Sequence, residues 1–218
     1  MTLIGYWPLN ENSGSKAYDH SGNENHGTLN GGVTQGTTGL LADTAYSFDG
    51  SDDYVSIADS SVLDGSPISA TAWVKTSASG EKVIVAKFNS SSPYNGYWYG
   101  QGKDGGIRVC LGYDGQKCYE VSDFPNDGNW HQICFTYDNS TLKIYQDGKH
   151  IDSISETTDV KDTATDLQIG YGQWGVENEW NGKISEVRIY DRPLTKSEVQ
   201  YLYNVGKRGL HTTSRKTS

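Results

Sequence analysis

Thr141-Leu142-Lys143-Ile144-Tyr145-Gln146-Asp147-Gly148-Lys149-His150-Ile151-Asp152-Ser153-Ile154 is the stretch that decides the fold class. Its first arm alternates Leu142, Ile144 and Gln146 against Lys143 and Tyr145, the period of two imposed by a pleated strand. Asp147-Gly148 tolerates left-handed backbone at both central positions of a two-residue turn, which sends the chain back as an antiparallel second arm. The same punctuation recurs outward at Asp104-Gly105, Asp114-Gly115, Asp127-Gly128 and Asn181-Gly182. Between these turns lie short β-forming runs at 46–48, 54–57, 70–74, 83–86, 106–109, 131–137, 167–169 and 184–190. Short strands joined by tight turns predict an all-β antiparallel two-sheet sandwich.

One short C-terminal helix is expected after the last strand. Thr195 precedes Glu198 at the capping-box spacing, and Val199, Leu202 and Val205 follow at helical intervals. The spacing predicts a helix over 195–204 that covers one end of the sandwich. No internal repeat, linker or second core interrupts the pattern. The expected domain therefore spans 1–206, with a polar, flexible tail over 207–218.

Composition narrows the partners. Only 34% of the 218 residues are hydrophobic, yet 6 Trp, 15 Tyr and 4 Phe give enough large side chains to build a core. A net charge of −9 argues against a nucleic-acid backbone, which needs a positive face. The terminal basic residues Lys207, Arg208, Arg215 and Lys216 sit on the polar tail. No run is long and apolar enough for membrane insertion. Residues 1–7 lack a basic leader segment and read directly as a strand. A displayed protein would then have lost a signal or travel by another route, such as assembly into a virus particle.

Cys110, Cys118 and Cys134 form neither a disulfide framework nor a metal spacing. Cys134 lies in an apolar strand and reads as a buried thiol. The other two flank Gly112-Tyr113-Asp114-Gly115-Gln116. A three-residue loop would set Cys110 opposite Cys118, whereas a two-residue turn would pair Cys110 with Tyr119 and keep the sulfurs apart.

Seven pieces, in order, resemble the laminin-G-like, concanavalin A-like jelly-roll family. They are Tyr6-Trp7-Pro8-Leu9-Asn10-Glu11, Asp19-His20-Ser21-Gly22-Asn23-Glu24-Asn25-His26-Gly27 and Phe48-Asp49-Gly50-Ser51-Asp52-Asp53-Tyr54-Val55. Ala72-Trp73-Val74-Lys75, Trp130-His131, Tyr145-Gln146-Asp147-Gly148-Lys149 and Ile184-Ser185-Glu186-Val187-Arg188-Ile189-Tyr190 follow. The resemblance implies a jelly-roll sandwich over nearly the whole chain and structural places for Trp7, Trp73 and Trp130. It does not fix a function, because one fold hosts many.

Hydrolysis of a glycosidic bond needs two carboxylates about 5 to 10 Å apart across a groove. Glu177 and Glu179 are the best-spaced pair, but they lie in a Gly- and Asn-flanked loop without a glycosidase signature. No nucleophile elbow and no His/Cys zinc spacing is present, so no catalytic residue is expected. The loop from Asp19 to Gly27 suits calcium better, offering Asp19, Asn23 and Asn25 as oxygen donors. The resemblance implies a structural calcium held by Asp19 and Asn23 and completed by Glu186. The chain departs from the family's pattern at Ser185, where an Asp is usual. The alternative is an Asx-turn loop in which Asp19 caps backbone amides. Asp49-Gly50-Ser51-Asp52-Asp53 is a rival acidic segment with the same alternative.

Sugar binding needs exposed aromatic faces beside hydrogen-bonding groups. Trp174, with Gln173, Asn178 and Glu179, stands in a glycine-flanked stretch. Tyr97 and Tyr99 form a second aromatic group, with Trp98 expected on the opposite strand face; core packing is the alternative for both groups. The expected function is non-catalytic recognition of a glycan or cell-surface polymer, outside a cell or on a virion surface, with virion proteins as further partners. A structural decoration or fibre domain of a virus particle is the alternative, followed by an accessory domain of a carbohydrate-active enzyme.

Overall fold

A computed structural model of the chain describes residues 2–40, 44–91, 94–112, 116–172 and 178–213. In chain order these form β1 (Leu3–Trp7), β2 (Lys16–Ala17), β3 (Gly27–Asn30), β4 (Thr34–Thr37), β5 (Ala45–Asp49), β6 (Tyr54–Ile57), β7 (Ile68–Lys75) and β8 (Lys82–Phe88). Then come β9 (Gly96–Gln101), β10 (Gly106–Gly112), β11 (Gln116–Asp123), β12 (Trp130–Tyr137), β13 (Thr141–Gln146), β14 (Lys149–Ser155), β15 (Leu167–Ile169), β16 (Asn181–Tyr190) and α1 (Lys196–Thr213). One antiparallel sheet runs β14-β13-β12-β7-β16-β5-β4, with β1 added along β16. The other runs β11-β10-β9-β8-β15-β6-β3-β2. The chain crosses repeatedly between the sheets, and the architecture is the antiparallel sandwich that the strand spacing predicts, in the jelly-roll form that the family resemblance implies.

The deciding hairpin folds as its sequence requires. β13 and β14 meet across Asp147 (φ 52°) and Gly148 (φ 71°), so both central positions are left-handed. At Gly148 a Cβ would lie 2.9 Å from the Tyr203 Cβ, so the glycine also lets the helix approach. Inner-face residues Tyr97, Tyr99, Val109 and Leu111 of one sheet join Ala70, Ala72, Ile133 and Phe135 of the other in the main core. Tyr99 meets Phe135 edge to face at 5.4 Å across the sandwich, a favoured arrangement of ring quadrupoles. Trp98 faces the opposite way, as alternation predicts, and packs with Val83, Ala86, Phe88 and Cys110.

The helix departs from expectation in place and length. It lies on the outer face of the first sheet, where Leu194 and Val199 pack with Cys134, Tyr145 and Tyr190, and Tyr203 stacks on Trp73 at 5.5 Å. It continues to Thr213, so residues 207–213, assigned to a flexible tail from sequence, are helical. The cap is as predicted: Thr195 N–H donates to Glu198 at 2.8 Å, and Glu198 N–H donates to the Thr195 hydroxyl at 3.3 Å. Arg192 adds an ion pair at 2.6 Å, which with the Thr195 donors holds the Glu198 carboxyl down at about 2.

The β10–β11 register pairs Cys110 with Cys118 and Gly112 with Gln116, so three residues separate the strands. A disulfide joins Cys110 to Cys118, their Cα atoms 4.1 Å apart. Cys134 is free and buried, and burial pushes its thiol up.

Candidate functional site

β1 pairs with β16 on one side, and on its other side the loop after β2 closes against it through Asp19. One Asp19 carboxylate oxygen accepts the Tyr6 N–H at 3.0 Å and the Ser21 N–H at 2.8 Å. The other accepts the Ser21 hydroxyl at 2.8 Å and the Asn25 N–H at 3.0 Å. His20 N–H returns a backbone bond to the Tyr6 carbonyl at 2.8 Å, and Asn23 Nδ2 donates to the Ile4 carbonyl at 3.0 Å. Trp7 Nε1 donates to the Asn25 carbonyl at 2.9 Å, locking the far end of the loop to the core.

The hydrogen bonds to Asp19 favour the Asx-turn reading of the loop. An ionised carboxylate has about four lone-pair sites, and protein donors occupy all four on Asp19. The Asn25 carbonyl accepts from Trp7 with one of its two lone pairs. Glu186 does not complete the set either. Its carboxylate accepts the Tyr6 hydroxyl at 3.1 and 3.2 Å and pairs with Arg188, whose guanidinium lies 4.2 Å from the centre of the Tyr6 ring. Burial pushes the Tyr6 hydroxyl up to about 12, against the pull of Arg188 and with help from Glu186, so it remains a donor at neutral pH. Asp19 meets the Tyr6 backbone and Glu186 the far end of its ring. The donors as arranged do not fit calcium, and the Asx-turn alternative describes them. Among the described residues, Asp49, Asp52 and Asp53 bring carboxylates within 4.8 Å of one another. Asp53 is buried there, accepting the amides of Gly32 and Asp49, while Asp49 and Asp52 are exposed.

The predicted sugar contacts separate in the same way. Tyr97 and Tyr99 are fully buried, and the Tyr97 hydroxyl donates to the Leu63 carbonyl at 3.0 Å. They are core residues with no face for a ligand, which corrects the expectation from sequence. Asn178 is buried as a loop anchor, its carbonyl accepting the Val83 N–H at 3.0 Å and its side chain the Gly172 N–H at 3.3 Å. Glu179 is half-buried. Gln173, Trp174 and Glu177 lie outside the described residues.

Sequence reasoning missed a hollow beside the Asp19 loop. It has a volume of about 430 Å³ and is lined by Tyr18, Asp19, His20, Gly22, Glu24 and His26. Tyr18 is 48% exposed, and its ring meets His26 edge to face at 5.2 Å. A second open hollow of about 590 Å³ flanks the loop, lined by residues including Ile4, Asn23, Val62 and Asp191. The usable signal was the spacing of Tyr18, His20 and His26 around Asp19, which reading for metal ligands passed over.

The model of the concanavalin A-like lectin/glucanases superfamily matches residues 49–200. No curated protein sequence matches the chain significantly. Among solved structures, the chain is similar to domain 4 of AbnA, a GH43 extracellular arabinanase from Geobacillus stearothermophilus in complex with arabinotriose. The TM-score is 0.74 at 23% identity, covering 93% of this chain and 98% of that domain. It is also similar to the binding domain of Paraclostridial Mosquitocidal Protein 1, with TM-score 0.73, 16% identity and coverage of 93% of this chain and 52% of that one. The binding domain of botulinum neurotoxin DC in complex with SialylT gives 0.71, 16%, 93% and 51%. The chain thus spans about half the length of these toxin domains. With the family model matching more than half of its length on a two-sheet jelly roll, the chain belongs to the concanavalin A-like lectin/glucanase superfamily.

Proposed function

We infer that the domain is a non-catalytic recognition module for a glycan on a surface outside the cell. The observation that carries this reading is the open hollow at the Asp19 loop, where a half-exposed tyrosine stands on a hydrogen-bonded framework. A ring on such a framework meets a ligand with little ordering cost. Domain 4 of AbnA supports the reading, because it corresponds to this chain over nearly its full length and holds arabinotriose. It favours an accessory binding role beside a carbohydrate-active enzyme over decoration of a virus particle. The toxin domains add less, since half of each lies outside the match. The Cys110–Cys118 disulfide supports an oxidising, extracellular setting.

Trp174 remains a second proposed contact, in the glycine-flanked stretch between the anchored residues Gly172 and Asn178. The test is a glycan-array screen of the whole chain, in calcium and in chelator, with Trp174→Ala alongside. Binding to one glycan class, unaffected by chelator, is expected. Absence of binding to every arrayed glycan would overturn the recognition reading.

A further inference from the structure

The framework around the hollow at the Asp19 loop determines which polar groups are left for a ligand. Tyr18 N–H donates to Glu11 at 2.8 Å, and the second Glu11 oxygen accepts the Tyr46 hydroxyl at 2.7 Å. That fixes the backbone beneath the exposed ring. Asp19 N–H donates to His26 Nδ1 at 3.0 Å. A neutral imidazole that accepts at Nδ1 carries its proton on Nε2, so His26 is left with one N–H donor. His20 is exposed and packs edge to face on Tyr6 at 5.9 Å. Glu24, exposed at a left-handed φ of 58°, has a carboxylate with no partner among the described residues.

Those groups discriminate between ligand chemistries. A cation would find one unoccupied carboxylate, Glu24, beside an imidazole N–H that repels it, since Asp19 is already saturated. An anion would meet Glu24 and the field of a chain with net charge −9. A neutral polyhydroxylated ring suits all three elements. Its C–H face covers the exposed Tyr18 ring, one hydroxyl accepts from His26 Nε2–H, and another donates to Glu24. Resting on the recognition reading above, we propose that the hollow between Tyr18 and His26 is a subsite for a neutral saccharide ring. Tyr18 is its platform, and His26 and Glu24 are its polar contacts.

The experiment measures binding of arrayed neutral, sialylated and sulfated oligosaccharides, then titrates the tightest neutral binder, with arabinotriose as the starting solution probe. Wild-type chain is compared with Tyr18→Ala, Tyr18→Phe and Glu24→Gln, each checked by thermal melt. The proposal expects neutral glycans to bind, with Tyr18→Ala weakening affinity about tenfold or more, the equivalent of roughly 1.4 kcal/mol. Tyr18→Phe keeps the platform and should bind like wild type. Glu24→Gln should weaken binding by a smaller factor. Because Tyr18 is half-exposed, its truncation should leave the melting temperature in place. Neutral-glycan binding that survives Tyr18→Ala unchanged overturns the subsite and leaves the recognition reading standing. Binding confined to sialylated or sulfated glycans overturns the subsite in the same way. No binding to any arrayed glycan overturns both.

Discussion

Replacing Asp19 by Ala should destabilise the fold by about 3 kcal/mol, whether calcium is supplied or removed. Asp19 is 7% exposed, and its carboxylate accepts four hydrogen bonds, three of them from backbone amides. Hydrogen bonds to a charged acceptor contribute roughly 1.5 to 3 kcal/mol each, and an unpaired buried donor costs roughly 1 to 3 kcal/mol. Those contributions do not add fully, because one carboxylate serves all four donors and water reaches the loop once the side chain is gone. The half-buried Ser21 hydroxyl rehydrates, while the Tyr6 amide on β1 is held beside the core residues Ile4 and Trp7. For a domain of this size 1 kcal/mol corresponds to about 2 to 4 °C, so the melting temperature should fall by about 6 to 12 °C. The assay is a thermal melt of wild type and Asp19→Ala in calcium and in chelator. Wild type should melt at the same temperature in both buffers. A chelator-induced fall in wild type as large as that caused by the mutation would refute the closed Asx loop and assign Asp19 to a cation. A mutational shift under about 2 °C would refute the energetic reasoning.

His131 sits between Asp147 at 2.8 Å and Asp127 at 3.1 Å. The Asp147 hydrogen bond raises its pKa, burial opposes this, and Asp127 adds to the rise. A raised folded-state value means that its stabilisation is full below about pH 6.5 and is lost as pH climbs through the folded value. The melting-temperature gap between wild type and His131→Asn should therefore be wider at pH 5.5 than at pH 8.5; a gap that widens with pH contradicts the assignment. A thiol count in denaturant without reductant should find one thiol, Cys134, and three would refute the Cys110–Cys118 bridge. Reducing that bridge should cost about 2.5 kcal/mol, as closure of so short a loop implies. Truncation before Tyr203 should uncover Trp73, shift the tryptophan emission to the red and lower the melting temperature. An unchanged spectrum would show that the last helical turns do not cover the sheet.

The hairpin at Asp147-Gly148, the strands at 54–57 and 167–169 and the Thr195–Glu198 cap were legible in the sequence because each depends on neighbours within a few residues. Turn chemistry, period-two alternation and capping are local, so the antiparallel class follows from them. Alternation also separated Trp98 from Tyr97 and Tyr99, but it could not say which face was the core. β9 is buried on both faces, and only the approach of Phe135 from the other sheet identifies the tyrosines as interior. The buried Lys87 is held by Asp59 and Asp64 and the carbonyls of Thr163 and Thr165, positions up to 78 residues away that no local pattern in the sequence connects to it. Asp19 and Glu186 look like partners in one calcium site because both are acids at family positions. The tertiary structure sets them at opposite ends of Tyr6 and satisfies each with other donors. A residue's type fixes what it can bond, and its sequence neighbours fix its local backbone. Which bonds it makes depends on the groups that long-range packing brings beside it, and in a two-sheet sandwich those come from strands distant in the chain.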